Sequence, residues 1–224
     1  MDIQTQIFEQ IRSYLLSQFA AGQKMETEEV LAKRFNTSRY KVRKVLATLS
    51  QMGVLDRSPK KGSKLKKPDA ETMSEQIRFQ FKVAGFDAAE FIEARAIIEC
   101  AILPVVVRRI TPSLMTQLEN ALYKIEENAH DPLEADKYDR DFHILILKAC
   151  GNRVLEVFSS VLLTYFERTT KMVSSFGPEH FLEVAREEGA ILDAIKANDP
   201  DLAAELLEKH LRKQSLKFHK RPSS

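Results

Sequence analysis

The sequence contains no long apolar run and no basic, apolar leader. A membrane-spanning helix needs about 20 consecutive apolar residues, so no bilayer span is predicted. The amino-terminal stretch MDIQTQIFEQIRSYLL is amphipathic and lacks the positively charged start of a secretory signal. We therefore expect a folded protein of the cytoplasm with no membrane partner.

Cysteine is also scarce, with Cys100 and Cys150 as the only two in 224 residues. Each lies in an apolar helical pattern, and no C-x-x-C spacing is present. This pattern favours buried thiols over a disulfide or a redox pair.

Charge is distributed unevenly between the two parts of the chain. Residues 1–69 hold 14 Lys and Arg against 7 Asp and Glu, whereas the remainder holds 20 against 25. The chain thus joins a basic part to an acidic part. The basic part is expected to meet a polyanion.

The basic part reads as three helices followed by a hairpin. Apolar residues recur at helical spacing in IFEQIRSYLLSQFAAG, in TEEVLAKRFN and in TSRYKVRKVLATLSQMGVL, with Thr27 and either Thr37 or Ser38 as N-caps and Gly53 as a C-terminal stop. VLDRSPKKGSKLKK then predicts two short strands around a Pro-Lys-Lys-Gly tip. This order is typical of a winged helix-turn-helix domain, which we place at residues 1–68.

The third helix carries the chemistry of a DNA reader. Basic side chains lie opposite its apolar stripe, where a recognition helix presents residues to base edges in the major groove. Other basic residues are placed to contact phosphates, and Gly62 would let the wing approach the backbone. The alternative is a solvated basic face. The basic residues concerned are Arg39, Lys41, Arg43 and Lys44 on the helix, Arg34 before it, and Lys60, Lys61 and Lys64 in the hairpin.

The segment EEVLAKRFNTSRYKVRKVLATLSQMGVLDRSPKKGSKL resembles the winged-helix domain of the GntR family of bacterial transcription regulators. The family pattern has a Leu-Ala pair, V-S-R-x-x-V-R, a leucine-rich helix and a Gly-containing wing, and the match covers most of residues 5–67. The resemblance implies DNA contacts by Arg34, Ser38, Arg39, Arg43 and Gly62. Thr37, Tyr40, Lys41 and Lys44 depart from the pattern, which implies an altered operator.

The chain after Pro68 lacks strand signals and predicts six or seven long helices. Asp87, Thr111-Pro112, Asp131-Pro132, Asn152 and Asp199-Pro200 are N-terminal signals, and Gly151 ends one helix. We expect one helix to be interrupted or kinked at Pro104. The predicted fold is therefore mainly α, with an antiparallel helical bundle over residues 69–224.

Over residues 75–215 the order of segments resembles the all-helical, FCD-like effector-binding domain of the FadR-type branch. DRDFHILILKACGN parallels its D-x-x-F-H segment. In that branch a divalent metal is often held by one Asp and three His beside a small carboxylate effector. The resemblance implies the ligands Asp139, His143 and His210, while Gly189 stands where the third His is usual.

The implied cofactor is zinc, nickel or manganese, held more weakly because Gly189 offers no side chain. Asp139 and His143 lie one helical turn apart, so both can face one site. The alternative is that Asp139, His143 and His210 are hydrogen-bonded polar residues. Gly189 would make room for an effector or allow two helices to pack closely.

Arg95 matches an Arg of the branch that reaches the effector pocket, where a guanidinium can hold a carboxylate bidentately. The alternative for Arg95 is a surface pair with Glu99. Asn152 is a further effector-binding candidate that capping also explains.

These features predict a homodimeric regulator, in function a repressor, that binds a near-palindromic DNA operator and responds to a small, carboxylate-bearing effector. A constitutive architectural DNA-binding protein, whose second domain serves only dimerisation, is the main alternative. A metal-dependent hydrolase is disfavoured because no H-E-x-x-H pairing is present.

Overall fold

The computed structural model describes residues 3–21, 24–58 and 62–219. The chain forms two compact units, Met1–Thr72 and Met73–Ser224. Most described residues are helical, and the described strands form a single two-stranded sheet. The predicted fold class is confirmed.

Three of the described helices lie wholly in the first unit, and side-chain caps define two of them. Thr27 accepts a hydrogen bond from the amide of Val30, and Ser38 accepts one from the amide of Lys41. Each cap satisfies an amide that the first helical turn leaves without a partner. Gly53, with φ of 72°, follows the third helix. The helices are α1 (Ile3–Ala20), α2 (Glu28–Arg34) and α3 (Arg39–Gln51).

The core of the first unit is built from the predicted apolar stripes of α1, α2 and α3. Ile11, Leu15, Leu31 and the α3 side chains Val42, Val45, Leu46 and Leu49 are buried. Three members of the predicted stripes, Phe19, Val30 and Met52, are instead exposed. Met52 follows the last residue of α3 as its C-cap, and Val30 precedes the buried Leu31. The basic side chains of α3 remain on the opposite face.

The wing is a short antiparallel hairpin of β1 (Leu55–Ser58) and β2 (Gly62–Leu65). Leu55 pairs with Leu65, and Ser58 pairs with Gly62. Leu55 is buried against the helical core. The hairpin predicted from the sequence is therefore present, although its tip, which includes Lys60 and Lys61, lies outside the described residues.

The second unit is a helical bundle. Its described helices are α4 (Ala70–Ala84), α5 (Ala88–Arg109), α6 (Pro112–Glu127), α7 (Pro132–Ala149), α8 (Arg153–Val157), α9 (Ser159–Val173), α10 (Pro178–Lys196) and α11 (Pro200–His219). None of the helices described in either unit is both long and apolar enough to cross a bilayer.

Most of the predicted N-terminal signals cap a helix. Asp87 forms a capping box with Glu90, and Thr111 and Asp131 each accept amide hydrogen bonds ahead of a proline. Three features differ from expectation. Helix α5 runs through Pro104 without interruption, the helix capped by Asn152 divides at Phe158 into α8 and α9, and α4 was not anticipated as a separate helix.

Four helices surround the region where the candidate ligands meet. Helix α5 packs against α11, α9 and α7, and α10 packs against α11 and α6. Apolar side chains from these helices, among them Leu103, Phe142, Ile191 and Leu207, form a fully buried core. This core fixes the inward faces of α5, α7, α10 and α11. Polar residues on those faces are consequently held inside the bundle.

Candidate functional site

The N-terminal half of α3 presents an exposed polar and basic surface. An open groove there is lined by residues that include Ser38, Arg39, Lys41 and, from α2, Lys33. Ser38 caps α3 through its oxygen, which leaves its hydroxyl hydrogen able to donate to a phosphate. Lys44 lies on the same exposed side, with its ammonium 5.7 Å from the ring centre of Tyr40.

Two of the predicted DNA-contacting arginines are engaged by carboxylates. Arg43 donates from Nε and Nη2 to Oε2 of Glu28, at 3.1 and 3.0 Å. Arg34 donates from Nε and Nη2 to the two oxygens of Glu26, at 3.0 and 2.6 Å, and lies over the ring of Tyr14. Its hydrogen bond with Arg34 lowers the pKa of Glu26.

The remaining candidates for DNA contacts belong to the wing. Gly62 begins β2, and Lys64 is exposed opposite Asp56. Lys61 lies outside the described residues. No part of the structure tests these DNA contacts, so they stay predictions.

A buried polar cluster lies inside the helical bundle. It consists of Asp139 and His143 of α7, Glu188 of α10 and His210 of α11. Each residue offers one ligand atom, and these atoms all lie within 4.8 Å of one another. The Nε2 atom of His143 is 3.2 Å from Oδ1 of Asp139 and 3.2 Å from Oε1 of Glu188. Tetrahedral ligands at about 2.0–2.1 Å from zinc are separated by about 3.3 Å, so both distances suit a shared ion.

Several atoms of this cluster have no hydrogen-bond partner among the described residues. They are Oδ1 of Asp139, Nε2 of His143 and both carboxylate oxygens of Glu188. Buried polar atoms are rarely left without a partner, because the loss of water costs about 1–3 kcal/mol for each group. A cation among these atoms would supply the missing interactions. The residues present therefore fit a divalent metal.

Outer carboxylates orient both imidazoles. Glu99 of α5 lies 2.5 Å from Nδ1 of His143, and Glu187 lies 2.9 Å from Nδ1 of His210. A carboxylate accepts a hydrogen bond from Nδ1–H, so the proton stays on Nδ1 and the lone pair of Nε2 remains for a metal. Arg95 and Lys213 in turn bind Glu99 and Glu187.

The pKa values reflect crowded negative charge in a buried site. Burial, followed by the charge of Asp139, raises the pKa of Glu188 well above its usual value. Burial also favours a higher pKa for Asp139, but the imidazole of His143, 3.2 Å from its Oδ1, and the charge of His210 lower it to about 2. Burial opposes protonation of His143, yet Glu99, Asp139 and Glu188 raise its pKa. A divalent ion would provide the positive charge that these carboxylates favour.

The structure adds a fourth candidate ligand to the three that the sequence predicted. Glu188, the residue before Gly189, points into the cluster and is fully buried. The sequence did contain a signal for this position, because Glu188 interrupts the buried stripe of α10 at Phe181, Val184, Ala185, Ile191, Leu192 and Ile195. A methyl group at Gly189 would meet no atom within 4 Å, so close helix packing does not explain this glycine.

Arg95 lies inside the bundle and not on its surface. It is 3% exposed, donates from Nε to Oε1 of Glu99 at 2.9 Å, and lies over the ring of Phe166. The alternative of a surface pair with Glu99 is therefore wrong about the location, although the pair exists. Asn152 caps α8 at an exposed position and is not part of the buried cluster.

Two family models match the two units of the chain. The model of bacterial regulatory proteins of the gntR family matches residues 3–65, and the FCD domain matches residues 90–213. The chain belongs to the GntR family. The FCD domain places it in the FadR-type branch, as the sequence resemblance predicted. This GntR protein is a transcription regulator with a DNA-binding domain and not an enzyme, which removes the hydrolase alternative.

Individual curated relatives share about a quarter of their residues with this chain. The chain is 26% identical over 206 residues to the HTH-type transcriptional repressor NanR of Enterobacter sp. strain 638, covering 90% of this chain and 79% of that protein. NanR of Escherichia coli K12 is 24% identical over 208 residues, covering 90% and 78%.

Solved structures share the fold. Streptococcus agalactiae GntR superposes with a TM-score of 0.55 at 17% identity, covering 96% of this chain and 100% of that one. E. coli McbR/YncC gives a TM-score of 0.52 at 15% identity, covering 98% and 99%.

Proposed function

We propose that this GntR family regulator is a repressor whose hold on DNA is controlled by a small acidic effector bound in the FCD domain beside a divalent metal. The observation that carries the proposal is the buried cluster of Asp139, His143, Glu188 and His210, whose unpartnered atoms converge. A site of this kind costs stability unless a ligand uses it. Repression is supported by the NanR relatives, which are repressors.

DNA binding would use the exposed face of α3. Arg39, Lys41 and Arg43 would reach base edges and phosphates, and Ser38 would donate to a phosphate. Arg34, Lys61 and Gly62 would contact the flanking backbone. Two copies of α3 are needed to read a near-palindromic operator, so the functional form is a homodimer in the cytoplasm.

The metal would be held by two imidazoles and two carboxylates. Zinc, nickel and manganese all accept this donor set, and the four protein groups replace the three that the sequence predicted. When bound, the ion would act as a Lewis acid that coordinates an oxygen of the effector. His143 and His210 would be kept in the required tautomer by Glu99 and Glu187.

Arg95 would attract the acidic group of the effector. Its positive charge is close enough to the cluster to favour the ionised form of Asp139 and to oppose the burial that raises the pKa of Asp136. A guanidinium in a buried site is a strong partner for a carboxylate. Asn152 and Gly189 remain effector-binding candidates.

The test begins with the full-length protein and a library of random duplexes. The wild type is expected to enrich a near-palindromic sequence. A panel of small carboxylates, sugar acids and fatty acyl compounds is then added to that complex, with and without zinc. One member is expected to weaken binding of the wild type and to leave Arg95→Ala, which still binds the duplex, unaffected.

The competing function is a constitutive architectural binder. Enrichment of a duplex whose affinity responds to no panel member, to no added metal and to no chelator would favour it. Light scattering of the protein with and without the duplex checks the homodimer.

A further inference from the structure

We propose that Glu28 is a positioning residue for base recognition: it holds the guanidinium of Arg43 in the orientation that reads a guanine. The proposal rests on the proposed reading of DNA by α3. Glu28 is acidic, and its negative charge by itself disfavours the binding of DNA.

The contact joins the two helices of the helix-turn-helix. Glu28 is the first residue of α2, and Arg43 lies in the second turn of α3. One carboxylate oxygen, Oε2, accepts from both Nε and Nη2 of Arg43. Surface ion pairs of this kind contribute little to stability. The contact between Glu28 and Arg43 is therefore better explained by orientation of the Arg43 side chain than by a contribution to folding stability.

The edge of the guanidinium that Glu28 uses is important. A guanidinium has five N–H groups, and Glu28 takes the side edge formed by Nε and one hydrogen of Nη2. The end of the group, with Nη1 and the second hydrogen of Nη2, is the fork that matches O6 and N7 of guanine. Glu28 thus holds the plane of the fork without covering its end.

Exposure supports the same arrangement. The side chain of Arg43 is 58% exposed, whereas that of Glu28 is 22% exposed. The carboxylate therefore lies behind the arginine, further from solvent. A carboxylate that competed with DNA for Arg43 would instead need to cover the exposed end.

A second pair in the same unit repeats the geometry. Glu26 accepts from Nε and Nη2 of Arg34, so this pair also uses the side edge. The carboxylates of Glu26 and Glu28 thus each hold one arginine that the family resemblance assigns to DNA. The repetition indicates that the start of α2 orients DNA-contacting arginines.

The experiment compares specific and non-specific affinity. The wild type first selects a duplex from a random library, and dissociation constants are measured for that duplex and for a scrambled one at several salt concentrations. The variants are Glu28→Ala, Glu28→Gln, Arg43→Ala and the double variant Glu28→Ala/Arg43→Ala. Glu29→Ala is the matched control, because Glu29 is the exposed neighbour that pairs only with Lys33 among the described ion pairs.

Glu28→Ala and Glu29→Ala should strengthen binding to the scrambled duplex by a similar factor, since each substitution removes one negative charge. Only Glu28→Ala should lower the ratio of specific to non-specific affinity, by about tenfold. Glu28→Gln, which keeps an acceptor oxygen, should lose less. The double variant should be no less specific than Arg43→Ala, because Glu28 acts through Arg43.

The inference is overturned, while the proposed reading of DNA stands, if the ratio of Glu28→Ala stays at the wild-type value, as expected for Glu29→Ala, or rises above it. A folded wild type that enriches no duplex overturns both. Thermal melts establish whether each variant is folded. If Glu28→Ala is unfolded, Glu28→Gln is compared with the wild type in its place.

Discussion

Oε2 of Glu99 lies 2.5 Å from Nδ1 of His143, and both side chains are completely buried. The contact connects α5 to α7 and continues to Arg95, which binds the other oxygen of Glu99. Burial alone would raise the pKa of Glu99, but the charges of His143 and Arg95 lower it to about 2. Glu99 is therefore an ionised acceptor that orients His143 toward the metal cluster.

Glu99→Gln should weaken metal binding by about 10- to 100-fold, the usual effect of removing an outer carboxylate. The amide is neutral and holds the Nδ1 proton less strongly, so the Nε2 lone pair becomes a weaker ligand. Titration of the apoprotein with zinc against a competing chromophoric chelator measures the affinity.

Glu93→Gln is the control, because Glu93 lies exposed on the same helix. Equal zinc affinity in Glu99→Gln and Glu93→Gln would show that His143 is not a ligand oriented through Glu99.

Local signals predicted most of the fold. Caps such as Asp87 and Asp131 act on amides within the next three residues, so their effect is readable from sequence. The apolar stripe of α3 likewise predicted its buried face. Helix α4 was harder to predict, because Ser74 is its single buried residue among those described, and its hydrogen-bond partner, the carbonyl of Val157, is distant in sequence.

The candidate site was predicted in part for a similar reason. Asp139 and His143 share one helix, so their proximity follows from helical spacing. Glu188 depends on how α10 is rotated against α7, which is set by packing across the bundle. Glu99 and Glu188 both interrupt apolar stripes, and an acidic residue at such a position is the pattern that could have identified them.

Asp136 makes stability depend on pH. Burial, followed by the charge of Asp139, raises its pKa from 3.8 to about 8, although Arg140 and Arg95 oppose the rise. Between about pH 4 and pH 8 the folded protein keeps a proton that the unfolded chain has lost. Stability from this group is therefore present below pH 4 and is lost as the pH rises through 8.

Asp136→Asn should remove this dependence, since an amide does not ionise. The free energy of unfolding of the variant, relative to wild type, should increase from pH 5 to pH 8 by on the order of 1 kcal/mol per unit at most. Urea unfolding in the presence of chelator measures it. Asp141→Asn, at a side chain that is 44% exposed, is the control. Parallel pH profiles for wild type and Asp136→Asn would contradict the raised pKa.

Lys44 should contribute to DNA affinity without contributing to sequence preference. Its ammonium lies on the exposed side of α3, where a phosphate contact would release a counterion. Lys44→Ala should weaken binding to all duplexes and reduce the slope of log affinity against log salt by about 1. Lys148→Ala, at an exposed position in α7, should leave the slope unchanged. Fluorescence anisotropy at four salt concentrations distinguishes the two, and equal slopes would place Lys44 away from DNA.

Glu188 and Gly189 allow the identity of the fourth ligand to be tested directly. Glu188→Ala should weaken zinc binding, because it removes a carboxylate whose two oxygens have no hydrogen-bond partner among the described residues. A side chain at position 189 has room for its first carbon, since no atom lies within 4 Å of it. Glu188→Ala/Gly189→His should therefore recover part of the affinity if an imidazole from position 189 reaches the same ion.

Gly189→Ala separates the ligand effect from the helix effect. Replacing a glycine inside α10 should stabilise the fold by up to about 1 kcal/mol without changing zinc affinity. Calorimetric zinc titrations and thermal melts in zinc and in chelator are made on all four proteins. If Glu188→Ala binds zinc as tightly as the wild type, Glu188 is not a ligand. If the double variant is folded but recovers no zinc affinity, an imidazole at position 189 does not reach the ion. Together with weakened zinc binding in Glu188→Ala, that result leaves Glu188 as the fourth ligand beside Asp139, His143 and His210.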